Sequence, residues 1–220
     1  MALKLCGFAL SNYYNKIKLQ LMEKAVAFEE ELVWIGNTHP KLIERSPMGK
    51  VPFLETPEGC ISESMACAEY IEQKYPAHPL MPVDPFAAAK VRELIVYLEL
   101  HIELVVRELY GQAFFGGQAS DATKERVRKQ LVKNIAAFGK LARFSPYVAG
   151  DTFTLADCAA VFHLPIAVSA CKLVLGEDLF SAIPVKAYTQ QWAENPHMMK
   201  IQADRKASGE LMATLRSAKK

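Results

Sequence analysis

The chain of 220 residues and 24.5 kDa has room for one large domain or two small ones, and a compact chain of that length needs no metal or disulfide staples to hold its core. Hydrophobic residues make up 51% and charged residues 23%, an ordinary globular composition that excludes a disordered chain. The net charge of +2 is too slight to make nucleic acid the main partner.

Up to Tyr75 the hydrophobic period changes repeatedly. Residues 3–8 form a short apolar run with Lys4 as its only charge, which predicts a buried strand. Over 15–26, Ile17, Leu21, Met22 and Ala25 share one helical face. A second strand is expected over 28–35 and a short helix or loop over 40–45. Residues 51–56 and 60–62 flank Pro57-Glu58-Gly59, the pattern of a β-hairpin. A helix over 64–75 follows, with Cys67, Ile71 and Tyr75 in register. The order is β-α-β, then β-β-α.

Pro76, Pro79, Pro82 and Pro85 are too dense for a helix interior and predict a semi-rigid linker. This divides the chain into an α/β domain over 1–76, a linker over 77–86 and an all-helical domain over 87–220. A long helix is expected over 86–115, ended by Gly116-Gly117, and Ser120 or Asp121 caps the next, to about residue 144. Pro146 and Gly150 break the chain before a third helix that starts near Thr154 and stops at Gly176; shorter pieces follow over 184–194 and 196–207. Thr154 and Asp157 have the spacing of a capping box, with Phe153 and Cys158 placed as a hydrophobic staple. That motif serves folding.

Cys6, Cys60, Cys67, Cys158 and Cys171 stand far apart, with no CxxC and no Cys/His cluster. They read as reduced thiols of a cytoplasmic protein, with no zinc site. The run before Leu10 is too short for a signal peptide. The apolar stretch 158–175 is interrupted by His163, Pro165 and Lys172, so it predicts a buried helix and no membrane span.

Two stretches point to a ligand. In Ser46-Pro47-Met48-Gly49-Lys50-Val51-Pro52, a cis Val51-Pro52 bond turns the Val51 backbone outward to pair with an extended peptide-like ligand. The alternative is an ordinary strand start with a trans proline. Glu63-Ser64 opens a helix whose unpaired N–H groups and dipole suit a carboxylate, with Glu63 placed to take an ammonium. Together they fit an α-amino acid head group; alone, Ser64 caps the helix and Glu63 complements its dipole.

The βαβ–ββα unit, SPxGKVP, the Glu-Ser helix start, the proline-rich linker and the helical half with its TxxD box resemble the cytosolic glutathione transferase family over 3–207. The likeness is to its serine-type, bacterial-like members. It implies a thioredoxin-like N-terminal domain that holds glutathione, and an all-helical C-terminal domain that supplies most of the pocket for a hydrophobic electrophile. Val51 then partners the cysteinyl unit before cis-Pro52, Glu63 and Ser64 hold the γ-glutamyl end, and Lys50 meets the glycyl carboxylate. Relatives often place a histidine or glutamine ten residues before the proline of that motif; here the position is Asn37, with His39 two residues on.

The catalytic group belongs in the turn Ser11-Asn12-Tyr13-Tyr14-Asn15-Lys16. Matching the serine-type pattern puts Ser11 in that role, with Tyr14 and Tyr13 as rivals and Asn12 as a supporting donor. The absence of a cysteine in this turn separates the chain from the glutaredoxin-like classes. For the second-substrate pocket the candidates are Tyr13, Tyr110, Phe114, Phe115 and His163; aromatic stripes and a lone histidine also read as core. The resemblance implies a glutathione transferase acting as a cytoplasmic homodimer, with glutathione as co-substrate and no metal, nucleic acid or membrane partner. A glutathione-dependent isomerase or dehalogenase, and a non-catalytic transferase-like module that docks on other proteins, are the alternatives.

Overall fold

A computed structural model describes residues 2–34 and 40–217; Asn37 and His39 lie outside the described residues. The chain divides into two compact units, Met1–Leu80 together with Ala193–Lys220, and Met81–Trp192.

In the first unit, β1 (Lys4–Gly7), β2 (Glu29–Leu32), β3 (Phe53–Thr56) and β4 (Gly59–Ser62) form one sheet in the order β2-β1-β3-β4. β1 and β2 run parallel, and α1 (Asn12–Glu23) makes the crossover that a parallel pair requires. β1–β3 and β3–β4 are antiparallel. In the hairpin turn, Thr56 Oγ1 accepts the N–H groups of Glu58 and Gly59, both at 3.2 Å. Between β2 and β3 lies α2 (Pro40–Arg45), and α3 (Ser64–Lys74) follows β4.

β1 is covered on both faces, as its apolar run requires: Leu5 and Cys6 are wholly buried. Cys6 packs with Leu42 of α2 and Phe53 of β3, so it is a core residue, and burial pushes its thiol up to about 12. Ile17 and Leu21 of α1 and Cys67 and Ile71 of α3 are also sealed. One edge of the sheet, β2, carries Glu29, Glu30 and Glu31, charges that discourage pairing with another strand.

α1 starts three residues before the helix that periodicity predicts. Its first turn carries Asn12, Tyr13 and Tyr14, which break the apolar pattern, and Ser11 fixes the start by accepting the Tyr14 N–H.

The second unit opens with a helical rod: α4 (Pro85–Val96), a π-helical stretch Tyr97–Glu103, α5 (Leu104–Val106), a 3₁₀ turn Arg107–Leu109 and α6 (Tyr110–Phe115). A plain helix was expected here. The π stretch shifts the helical phase so that Leu98, Ile102 and Glu103 are all buried, and Glu103 pairs with Arg107 one turn on. Gly116 ends the rod at φ 73, a left-handed conformation that favours glycine. α7 (Asp121–Leu141) is capped by Ser120.

α8 (Leu155–Leu175) carries the full capping box, ends at Gly176 and contains Pro165. By length and composition it is apolar enough to cross a membrane, but 56% of its apolar window is buried inside the protein, the mark of a core helix. A short α9 (Val185–Gln190) follows.

The chain end differs from the expected division at 87–220. α10 (Pro196–Ser217) runs past Ala207 and belongs with the first unit. Its ties to α1 are ionic and polar, which hydrophobic periodicity does not register: Lys18 reaches Asp204 at 2.7 Å and His197 Nδ1 lies 2.9 Å from Glu23 Oε1.

Candidate functional site

The predicted glutathione residues all lie in the first unit. The Val51-Pro52 bond is cis. Among the described residues, no backbone hydrogen bond pairs the N–H or carbonyl of Val51, while Ser46 donates its hydroxyl to the neighbouring Lys50 carbonyl at 2.7 Å. Gly7, at the end of β1, shows why a small residue is needed here. A Cβ there would meet Tyr14 Cδ2 at 2.5 Å and Val51 Cβ at 3.3 Å, and its φ of 155° favours glycine. Val51 and the first turn of α1 are therefore close neighbours.

Ser11 is the N-cap of α1 and is half-buried. Its Oγ accepts the Tyr14 N–H at 3.3 Å, and its own proton points to no acceptor among the described residues. Tyr14 is sealed, and its phenol donates to the Glu30 carboxylate, which Lys18 holds at 2.6 Å. Burial first, and then Glu30, push the Tyr14 hydroxyl above its ordinary range. The two rivals thus differ: Ser11 keeps a donor, and the donor of Tyr14 is spent. Tyr13 is half-buried on the same turn.

Glu63 is the N-cap of α3, with an exposed side chain that makes no cap hydrogen bond and a backbone at φ 67. A left-handed glutamate is costly, and such outliers gather at ligand sites. Ser64 is buried, and its Oγ accepts from the Lys16 ammonium at 3.2 Å.

Lys16 is the residue that sequence reasoning missed. It is wholly buried on the face of α1 that meets α3, and it places a positive charge beside the α3 N-terminus. The available signal was a lysine between positions that periodicity buries. Lys16 joins Ser64 to the turn that carries Ser11, and Gly7 joins that turn to Val51, so Ser11, Val51 and Ser64 gather at one end of the sheet. Lys50 is exposed beside them.

The second-substrate candidates other than Tyr13 belong to the second unit. Tyr110 is nearly buried, its ring 5.3 Å from that of Phe114 and under the Arg107 guanidinium; its hydroxyl has no hydrogen-bond partner among the described residues. Phe115 is exposed, whereas His163 has no exposed surface and stands in the interior with Nε2 3.6 Å from Glu99. Two hollows, of about 300 and 880 Å³, lie elsewhere, and neither is lined by Ser11, Val51 or Ser64.

Cys6, Glu31 and Glu55 bring three metal-type ligands together, but Arg45 sits among them, with 2.8 Å to Glu31 and 2.7 Å to Glu55. That guanidinium already neutralises the acids.

A thioredoxin-like sheet unit with a cis proline at a peptide-pairing strand, followed by an all-helical unit, defines the glutathione transferase fold. Residues 5–79 match the family model of the glutathione S-transferase N-terminal domain, and residues 121–190 match that of its C-terminal domain. A protein from Pseudomonas putida named glutathione S-transferase is 44% identical over 99% of this chain and 100% of its own length. A stringent starvation protein A homolog from Pasteurella multocida is 30% identical over 66% of each chain. Among solved structures, a glutathione S-transferase from Methylobacterium radiotolerans in complex with glutathione sulfonate matches with TM-score 0.74 and 22% identity, over 91% of this chain and 94% of that one. That last likeness is one of fold. The chain belongs to the glutathione S-transferase family.

Proposed function

We propose that this enzyme adds the thiolate of glutathione to hydrophobic electrophiles and that Ser11 is the catalytic residue, donating its hydroxyl proton to the sulfur. The observation that carries the reading is the state of that hydroxyl. Its oxygen is occupied by the Tyr14 N–H at the start of a 12-residue helix, which leaves its proton for a ligand.

The magnitudes agree. A free thiol near pKa 8.5 is only a few per cent thiolate at neutral pH, and lowering it by about two units takes about 2.7 kcal/mol. A hydrogen bond to a charged group supplies about 1.5–3 kcal/mol, and the helix N-terminus adds to it.

Glutathione is the co-substrate. In this reading its cysteinyl backbone pairs with Val51 beside Pro52, its γ-glutamyl carboxylate lies at Ser64 and the α3 N-terminus, its ammonium at Glu63, and its glycyl carboxylate at Lys50. The open Val51 backbone and the left-handed Glu63 support these assignments. Tyr13, on the same helical turn as Ser11, is assigned to the electrophile; His163, being enclosed, is left to the core. The electrophile is positioned against the sulfur, so a bimolecular encounter becomes an oriented one. We place the enzyme in the cytoplasm, in keeping with its five free thiols.

Turnover of 1-chloro-2,4-dinitrobenzene tests the assignment. Ser11→Ala is expected to lower kcat/KM about a hundredfold, the equivalent of ~2.7 kcal/mol, whereas Tyr14→Phe, which removes no donor to the ligand, retains most of it. The reverse order would transfer the role to Tyr14. Glutathione is consumed one for one in this reaction, and its return unchanged would instead indicate an isomerase.

A further inference from the structure

α10 runs antiparallel to α1. His197 lies 2.9 Å from Glu23 at the end of α1, Asp204 meets Lys18 at 2.7 Å, and a Cβ on Gly209 would lie 3.9 Å from Leu10 Cδ2. The inner face of α10 thus advances toward the turn that carries Ser11. Residues three and four apart share a helix face, so Arg205 lies on one face with Ser208 and with Gly209.

Both residues hold polar groups without a partner among the described residues. Arg205 is half-buried, no acid or carbonyl meets its guanidinium among the described residues, and burial alone acts on it, lowering its pKa below the ordinary guanidinium value. Ser208 Oγ is buried and makes no hydrogen bond among the described residues. The buried lysines of the same unit are matched: Lys16 by Ser64, Lys18 by Glu30 and Asp204, and Lys24 by Glu72. A partly desolvated, unpaired guanidinium is costly, and an arriving anion offsets that cost.

We propose that Arg205 and Ser208 receive a carboxylate of the second substrate, next to the thiolate held at Ser11. The proposal rests on the transfer reading above and adds a substrate class to it: hydrophobic electrophiles that carry a carboxylate near the reacting carbon. The planar guanidinium suits a carboxylate bidentately, and the Ser208 hydroxyl adds a third donor. Arg205 stands one helical turn, about 5–6 Å, from Gly209, whose Cβ would lie 3.9 Å from Leu10 Cδ2, so its long side chain and one small molecule together span the way to the Ser11 turn. With an aryl chloride, the sulfur forms a bond to the ring carbon and chloride leaves with the bonding electron pair, while the carboxylate is unchanged.

The test compares 4-chloro-3,5-dinitrobenzoate with 1-chloro-2,4-dinitrobenzene and reads the ratio of their kcat/KM values in the full-length enzyme. Arg205→Gln is expected to lower that ratio about tenfold or more, Ser208→Ala about threefold, and Arg205→Lys to keep part of it. A structural role alone would slow both electrophiles together and leave the ratio at its wild-type value, which would overturn the proposal. The same ratio is read by calorimetry from binding of the two pre-formed glutathione conjugates. If neither electrophile turns over, the transfer reading fails, and the conjugate-binding ratio alone decides this one: a fall in Arg205→Gln supports it and no change refutes it.

Discussion

At the scale of single residues, the site depends on which polar groups are already satisfied. Ser11 and Tyr14 stand three apart on one helix start, yet Glu30 takes the phenol and leaves the serine. The sequence offered both, because the Glu30 contact spans 16 residues and pairing at that range has no local signature. Lys16 was hidden for a related reason, since a buried lysine reads as a solvated one until its partner on α3 is known. Lys16→Met removes the cation under Ser64 and is expected to weaken glutathione binding about tenfold, as is Ser64→Ala, each the loss of one charge-assisted contact. Calorimetry checks this; an unchanged dissociation constant in both variants would remove Ser64 from the γ-glutamyl site.

Among the elements, the clearest sequence signals were those closed within a few residues. The Thr154–Asp157 box, the Gly116 and Gly176 stops and the Thr56–Gly59 turn are all local, and all stand where the pattern put them. The π stretch at Tyr97–Glu103 was not legible, because no proline or glycine marks it and burial of Glu103 arises from packing. Asp157 does more than cap α8: it also accepts the Val148 N–H and the Tyr188 hydroxyl, both at 2.9 Å. Asp157→Ala leaves these buried donors unpaired and is expected to cost about 3 kcal/mol or more in urea unfolding. Burial outweighs these hydrogen bonds and raises the Asp157 pKa above 3.8. A raised folded-state pKa contributes stability in acid that is lost as pH rises through it, so the wild-type advantage over Asp157→Ala is expected to shrink from acid to neutral pH. A constant difference would contradict that sign.

For the molecule as a whole, fold and family were readable from the joint presence of several weak motifs, while the placement of α10 was not, since polar side chains tie it to α1. One surface feature bears on assembly. Val96, Leu100 and Leu104 recur every four residues along the helical rod and are 44%, 52% and 52% exposed. An apolar stripe of this kind favours burial against a partner, and a second copy of the chain is the partner we propose. Leu100→Glu is expected to convert a dimer to a monomer in sedimentation equilibrium, whereas an unaltered mass would place the interface elsewhere.

The most direct measurement is the pH titration of glutathione bound to the enzyme, followed by the ultraviolet absorbance of its thiolate. With Ser11 in place the bound thiol is expected to ionise about two units below the free one, and in Ser11→Ala most of that shift disappears. A wild-type thiol that ionises at its solution value, or a shift that survives loss of the serine hydroxyl, would contradict the account.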